Sequence, residues 1–278
     1  MDMTRIRPQR IRLFGESVDL TTPAEVMSFT AKKVAAGQRA IVANHNTHSL
    51  YLVAREPEMR EFYARADLIE LDSIPMIFWG MLTRKPVNRG HRCTYLDWRG
   101  DFWRLAARHG WRVFYLGGAP GVVELAARNL RGRYPGAVIG GRHGYFDDAV
   151  DSADNAAIVA EINAFKPDIL MVGMGMPRQE LWIARHYGAL NSGVVFSVGA
   201  AFDYEAGVQK AAPRWLSRFG GEWAFRLLAD PRRMAYRYLV EPWSLMPKAM
   251  RDMALTFAPR PRRSVLGHPL PERRKTLG

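Results

Sequence analysis

The segment PDILMVGMGMPRQELWI, Pro167 to Ile183, holds an uninterrupted apolar stretch, Ile169 to Gly173, then a glycine turn, then a helical pattern beginning at Gln179. An apolar run without period-two alternation is the mark of a strand buried on both faces, as in a parallel sheet. The same strand, turn and helix unit recurs at VFYLGGAPGVVELAARNL, with a strand over Val113 to Leu116 and a helix over Val122 to Tyr134. Working outward, Ala40 to Ala43, Leu68 to Leu71, Val138 to Gly140 and Val194 to Val198 read as further buried strands. Helical stretches at His48 to Ala54, Glu58 to Ala66, Asp97 to His109, Asn155 to Phe165 and Gln179 to Gly188 separate them. After a short apolar run at Ile11 to Phe14, Thr22-Pro23-Ala24-Glu25 supplies an N-cap, a proline at the first helical position and a capping-box glutamate, with Gly37 closing that helix. The expected fold is α/β, a Rossmann-like parallel sheet with helices on both faces. Past Pro213 the strand pattern stops, and residues 214–258 read as a helical appendage to the 1–213 core, followed by a basic tail at 259–278 expected to be disordered.

The chain has 278 residues, 48% of them hydrophobic and 24% charged, enough apolar content for a sizeable core in one large or two modest domains. The single cysteine, Cys93, excludes an internal disulfide framework and a Cys-rich zinc site and favours a reducing compartment. The N-terminal stretch lacks the apolar region of a secretory signal, so export is not expected, and no window reaches the roughly 18 apolar residues of a spanning helix. Net charge is +13, of which residues 214–278 contribute +9. Such a basic segment suits an anionic partner, either nucleic acid or a membrane surface, unless it is simply solvated.

In open parallel sheets ligands bind in the crevice at the carboxyl ends of the strands. The polar residues directly after each run are therefore the candidates: Asn44 and Asn46, Asp72, the Gly117-Gly118-Ala119-Pro120-Gly121 turn, Gly175 and Gln179, and Asp203. A glycine turn leading into a helix exposes backbone N–H groups and a dipole that favour a phosphate, although neither turn matches G-x-G-x-x-G or a P-loop. Asp72 sits between LIEL and SIPM, an apolar setting where a carboxylate is costly unless it is paired or used. It is the general-base candidate, the alternative being an N-cap for a helix over Ile74 to Leu82. Asp203 could accept hydrogen bonds from a ligand or brace Lys210. The sequence has no H-E-x-x-H, no pair of aspartates one residue apart and no G-x-S-x-G, so neither a metal centre nor a serine nucleophile is expected.

These residues lie within blocks that resemble the bacterial WecG/TagA/CpsF glycosyltransferases, glycosyltransferase family 26. The blocks are ARADLIELDSIPM, VFYLGGAPGVVELAARNL with HGYFDD, and PDILMVGMGMPRQELWI through VGAAFDYEAGVQKAAPRWLSRFGGEWAFRLLADPRRMAYRYL, and the similarity runs from about Leu13 to Tyr238. The resemblance implies a Rossmann-like enzyme that transfers a sugar from a UDP donor to a polyprenyl-diphosphate-linked acceptor at the cytoplasmic membrane face, inverting and without an obligatory metal or other cofactor. It implies Asp72 as the catalytic base, Gln179 and Asp203 near the nucleotide, Asn46 in the donor crevice, and Arg92 beside the leaving diphosphate. It further implies that Arg226, Arg233 and Arg237 close over the site and contact phosphates. A UDP leaving group handled without a metal needs such arginines to balance its charge.

Three departures from the family pattern cluster around the donor sugar. Its D-G-I-G is Asp72-Ser73-Ile74-Pro75, its common threonine is Asn44, and Tyr95 replaces a glycine in a segment about two residues longer than usual. N-acetylmannosamine, its uronic acid and glucose are the sugars the resemblance allows. The expected partners are a UDP-sugar, a lipid-linked acceptor and an anionic membrane surface, with no nucleic acid; a homo-oligomer is compatible with the sequence. Two other classes compete. A nucleic-acid-binding protein would use the basic tail, but no helix-turn-helix, zinc finger or RNA-binding aromatic signature accompanies it. A nicotinamide-dependent oxidoreductase lacks its glycine fingerprint and ribose-binding acid here.

Overall fold

A computed structural model describes residues 8–210, 212, 216 and 221–258. A hairpin of β1 (Gln9–Leu13) and β2 (Glu16–Leu20) opens the chain, ahead of α1 (Pro23–Ala35). A parallel sheet follows, formed by β3 (Ala40–His45), β4 (Leu68–Leu71), β5 (Arg112–Gly117), β6 (Val138–Arg142), β7 (Ile169–Gly173) and β8 (Val194–Ser197) in the order β4-β3-β8-β7-β5-β6. All five of its ladders are parallel. Between strands lie α2 (Thr47–Val53), α3 (Pro57–Arg65), α4 (Ile74–Leu82), α5 (Tyr95–His109), α6 (Val122–Arg133), α7 (Ala153–Phe165) and α8 (Arg178–His186), and α9 (Ala201–Ala206) follows the last strand. The appendage contains α10 (Glu222–Ala229), α11 (Pro231–Leu239), a 3-10 turn at Glu241–Leu245 and α12 (Met246–Phe257).

The alternation of side chains along each strand divides the core into two layers. Val42, Leu68, Val113, Met171 and Phe196 face α1, α5, α6 and α9, while Ile41, Ile69, Phe114, Leu170 and Val195 face α2, α3, α7 and α8. The expected helices on both faces are thus present. Local signals also hold: Glu25 N–H donates to Thr22 Oγ1, and Thr22 N–H donates to Glu25 Oε2 at 2.8 Å, forming the capping box read from the sequence. Where strand ends converge, backbone approach excludes a side chain. A Cβ on Gly117 would lie 2.2 Å from the Gly173 carbonyl oxygen, and one on Gly173 would lie 2.2 Å from the Tyr115 hydroxyl.

The apolar run at Ile11 to Phe14 belongs to the antiparallel hairpin, not to the parallel sheet, because Phe14 and Gly15 both take positive φ and reverse the chain. Asp19 of that hairpin accepts from Ile69 N–H at 2.8 Å and is bridged by Arg10, which covers the exposed edge of β4. The hairpin in turn seats the appendage. Phe14 N–H and Trp79 Nε1 both donate to Asp252, Lys248 pairs with Glu16, and Leu245 and Ala249 complete a third core cluster with Leu13, Leu50 and Met76. Leu245, Lys248, Ala249 and Asp252 of the appendage therefore pack against the core. The first residues after the proposed boundary at 213, and the tail at 259–278, lie outside the described residues.

Candidate active site

A cavity of about 700 Å³ opens at the carboxyl ends of the strands, within the size range of small-molecule sites. Asn44, Asn46, Asp72, Gly118, Gly175, Gln179, Asp203 and Arg237 all line it. Residues expected from six separate stretches of sequence are thus brought together. Gly117 and Arg92 are not among the lining residues; Gly117 is instead required by the close passage of β7. Arg92 closes a 3-10 turn at Arg89–His91, and its backbone bridges Leu71, one residue before Asp72. Arg226 and Arg233 fall on α10 and α11, but their side chains lie outside the described residues.

Asp72 is not the cap of α4. Ser73 holds that position, its hydroxyl accepting from Met76 N–H at 3.5 Å. The helix-cap alternative for Asp72 is therefore not what the chain adopts, and Asp72 lines the cavity. Asn46, by contrast, caps α2, its Oδ1 accepting from Ser49 N–H at 3.0 Å while Nδ2 faces Met176 Sδ. Asn44 Nδ2 donates to the Ser197 carbonyl at 2.8 Å and ties β3 to β8 at the cavity floor.

The glycine turn at Gly175 is tied to the loop after β8. Gln179 Oε1 accepts from both Gly175 N–H and Gly199 N–H, at 3.2 and 3.1 Å, and its Nε2 donates to Glu180. This almost wholly buried amide shapes the crevice by clamping two loops at once. Arg178 fixes the HGYFDD loop through the Gly144 and Phe146 carbonyls and Asp148. On the other wall, Tyr95, where the family pattern has glycine, donates to the buried Glu205, which also pairs with Arg99 and Arg133. Half-burial raises the pKa of the Asp203 carboxyl.

Sequence reasoning missed several cavity residues. His48 Nδ1 lies 2.7 Å from Glu241 Oε2, and both face the cavity with Arg237 and Met234. This contact spans 193 residues, so no local signal announces it. Burial, then the Arg237 charge, lower the His48 pKa, while Glu241 pulls it upward. Its sequence neighbour His45 instead turns into the core against Ser49 and Tyr63. Glu70, two residues before Asp72, also lines the cavity and accepts from Trp98 Nε1 at 2.9 Å. The strand's period of two was the signal that could have found it. Among the described residues no group of three or more His, Cys, Asp or Glu is arranged to hold a metal ion.

Buried ionisable groups set an expected stability profile. Burial pushes Glu70 and Glu180 each up to about 8, and it lowers His45 to about 3. A carboxyl raised in the folded state keeps a proton that the unfolded chain releases, so each glutamate removes stability as pH climbs from 4.5 toward 8. The buried His45 acts oppositely, but only between pH 3 and 6.5. Above that window the two glutamates act unopposed, at up to about 1.4 kcal/mol per pH unit each. Denaturant unfolding is expected to give a lower free energy at pH 8 than at pH 6.5, and Glu180→Gln to remove part of the fall. A flat profile in both proteins would contradict the buried protonated carboxyls.

The chain is similar to known glycosyltransferases. The model described as the "Glycosyl transferase WecG/TagA/CpsF family" matches residues 11–258. Relatives from Staphylococcus aureus strains NCTC 8325 / PS 47, COL and MRSA252 bear the name N-acetylglucosaminyldiphosphoundecaprenol N-acetyl-beta-D-mannosaminyltransferase. Each is 28% identical over 240 residues, covering 83% of this chain and 89% of that protein.

Proposed function

The chain belongs to the WecG/TagA/CpsF glycosyltransferase family, and from that premise we propose that it moves a hexose-type sugar from a UDP donor to a polyprenyl-diphosphate-linked acceptor. The observation that carries this reading is the single crevice joining Asp72, two glycine turns at helix starts and Arg237. In the proposed step Asp72 takes the proton of the acceptor hydroxyl as its oxygen attacks the anomeric carbon. The bond from that carbon to the diphosphate breaks, UDP leaves, and the anomeric centre inverts. The helix starts behind the glycine turns direct their dipoles at the phosphate oxygens, while the Gly175 N–H itself is held by Gln179. Arg237 balances the charge that develops on the leaving group, with Arg92, Arg226 and Arg233 as further candidates, so that no metal is obligatory. The named relatives act on an undecaprenyl-diphosphate-linked sugar, and an acceptor of that chemistry is proposed here, in the synthesis of a surface polysaccharide.

Such an acceptor cannot leave the bilayer, so the site has to come to it. Among the described residues no helix is long and apolar enough to cross a membrane. Peripheral docking at the cytoplasmic face is the proposed arrangement. Trp223, Tyr236 and Trp243 of the appendage are exposed, as are Phe78, Met81 and Leu82 on α4. The +9 charge of residues 214–278 adds an attraction to anionic lipid that aromatic side chains in the headgroup zone reinforce.

Thermal unfolding with UDP, NAD or an oligonucleotide, with and without anionic liposomes, separates this reading from its rivals. UDP at 100 times its Kd is expected to stabilise the protein by about 2.7 kcal/mol, with NAD and the oligonucleotide inert. Sedimentation with the liposomes is expected at low salt and should weaken as salt rises. Stabilisation by NAD or the oligonucleotide and not by UDP would overturn the assignment. A protein that stays in solution beside liposomes carrying acceptor would overturn the docking.

A further inference from the structure

Glu70 is a buried acid, 3% exposed, at the wall of the same cavity. It pairs in register with Asn44 across β3 and β4, which sets the two side chains on one face of the sheet, and Asp72 follows two residues along the chain. Two donors fix it: Trp98 Nε1 at 2.9 Å, and the thiol of the buried Cys93. Among the described residues no cation pairs with it, and the charged groups that act on it are Asp72 from its own strand and Asp97 from α5. A carboxylate so placed is unfavourable, whereas a carboxylic acid can accept from Trp98 and Cys93 and still offer its own O–H to the cavity.

Resting on the donor chemistry proposed above, we propose that Glu70 is a sugar-reading residue, which donates a hydrogen bond from its carboxylic acid to a hydroxyl or amide oxygen of the transferred sugar and so selects a neutral sugar over a uronic acid. A sugar carboxylate brought to this wall would meet the carboxyl groups of Glu70 and Asp72 together. Burial holds the Glu70 pKa up at about 8, so the donor form dominates at neutral pH and is lost above it. The thiol of Cys93 is raised still further by burial and by Glu70, and stays protonated throughout.

The test is the donor KM and kcat of wild type, Glu70→Leu and Glu70→Gln with UDP-N-acetylmannosamine, UDP-glucose and UDP-N-acetylmannosaminuronic acid, alongside inhibition by free UDP. Glu70→Leu is expected to raise the KM of the neutral donor about 10-fold while the inhibition constant of UDP is unchanged. Glu70→Gln, which keeps a donor at the same place, should recover most of that loss and abolish the rise in donor KM that wild type shows between pH 7 and 9. An unchanged donor KM in a folded Glu70→Leu, or a wild type that prefers the uronic acid, overturns the inference. Should the leucine variant not fold, a glutamine variant that still shows the alkaline rise overturns it equally. If wild type neither transfers any of the three sugars nor is inhibited by UDP, the proposed function fails and not the role of Glu70 alone.

Discussion

Asp72→Asn is expected to slow sugar transfer by about 100- to 10,000-fold, the usual contribution of a general base, while leaving the fold and UDP binding intact. Asparagine keeps the shape of the side chain but not its ability to take a proton. The structure gives a specific reason why the fold should survive: α4 is capped by Ser73 and not by Asp72, so the substitution removes no helix cap. Met76 and Ile77 of α4 are buried in one cluster with Leu13 and Leu71, and asparagine keeps the size of the side chain beside them. Steady-state transfer, thermal unfolding and UDP affinity measured on one preparation check all parts of the expectation. Turnover near the wild-type rate in a folded variant contradicts the base assignment.

Arg237→Gln is expected to lower kcat by about 100- to 1,000-fold, the range seen when one group stabilising a developing anion is removed from a preorganised site. Arg237 lies on α11 and faces the cavity beside His48 and Glu241, close enough to depress the histidine pKa. Its place there depends on the appendage being seated, through Glu241 on His48 and through Asp252 on Phe14 and Trp79. Arg92→Gln is expected to be milder, because the Arg92 side chain is not part of the cavity wall. Equal losses in the two variants, or a larger loss at Arg92, would contradict the assignment of Arg237 to the leaving diphosphate.

The parallel sheet was readable because its strands are apolar on both faces, as in Ile169–Gly173, and because the capping box at Thr22 and Glu25 is a local chemical pattern. The crevice residues were readable for a topological reason, since whatever follows a parallel strand must open at the same end of the sheet. The hairpin was only half legible. Its strands, QRIRL and ESVDL, carry few apolar residues, and its Phe14-Gly15 turn has none of the Asn-Gly or Asp-Gly chemistry that marks a tight reversal. Glu70 was passed over for a different reason: in sequence it is one acid in LIELD, and its burial depends on Trp98 and Cys93, which only the fold brings to it. The same holds for Glu241, whose partner His48 lies on α2, far away in the chain. Gln179 shows the converse, a residue placed correctly at the crevice whose amide oxygen serves to lock the turns at Gly175 and Gly199.

The most direct measurement of the central claim is product analysis after incubating the full chain with a panel of UDP-sugars and a polyprenyl-diphosphate-linked N-acetylglucosamine in anionic liposomes, with a chelator present. The account predicts a lipid-linked disaccharide with an inverted anomeric centre, one equivalent of UDP released per sugar moved, and no product from Asp72→Asn at matched protein. Failure of every UDP-sugar to yield a lipid-linked product, or undiminished product from Asp72→Asn, would contradict it.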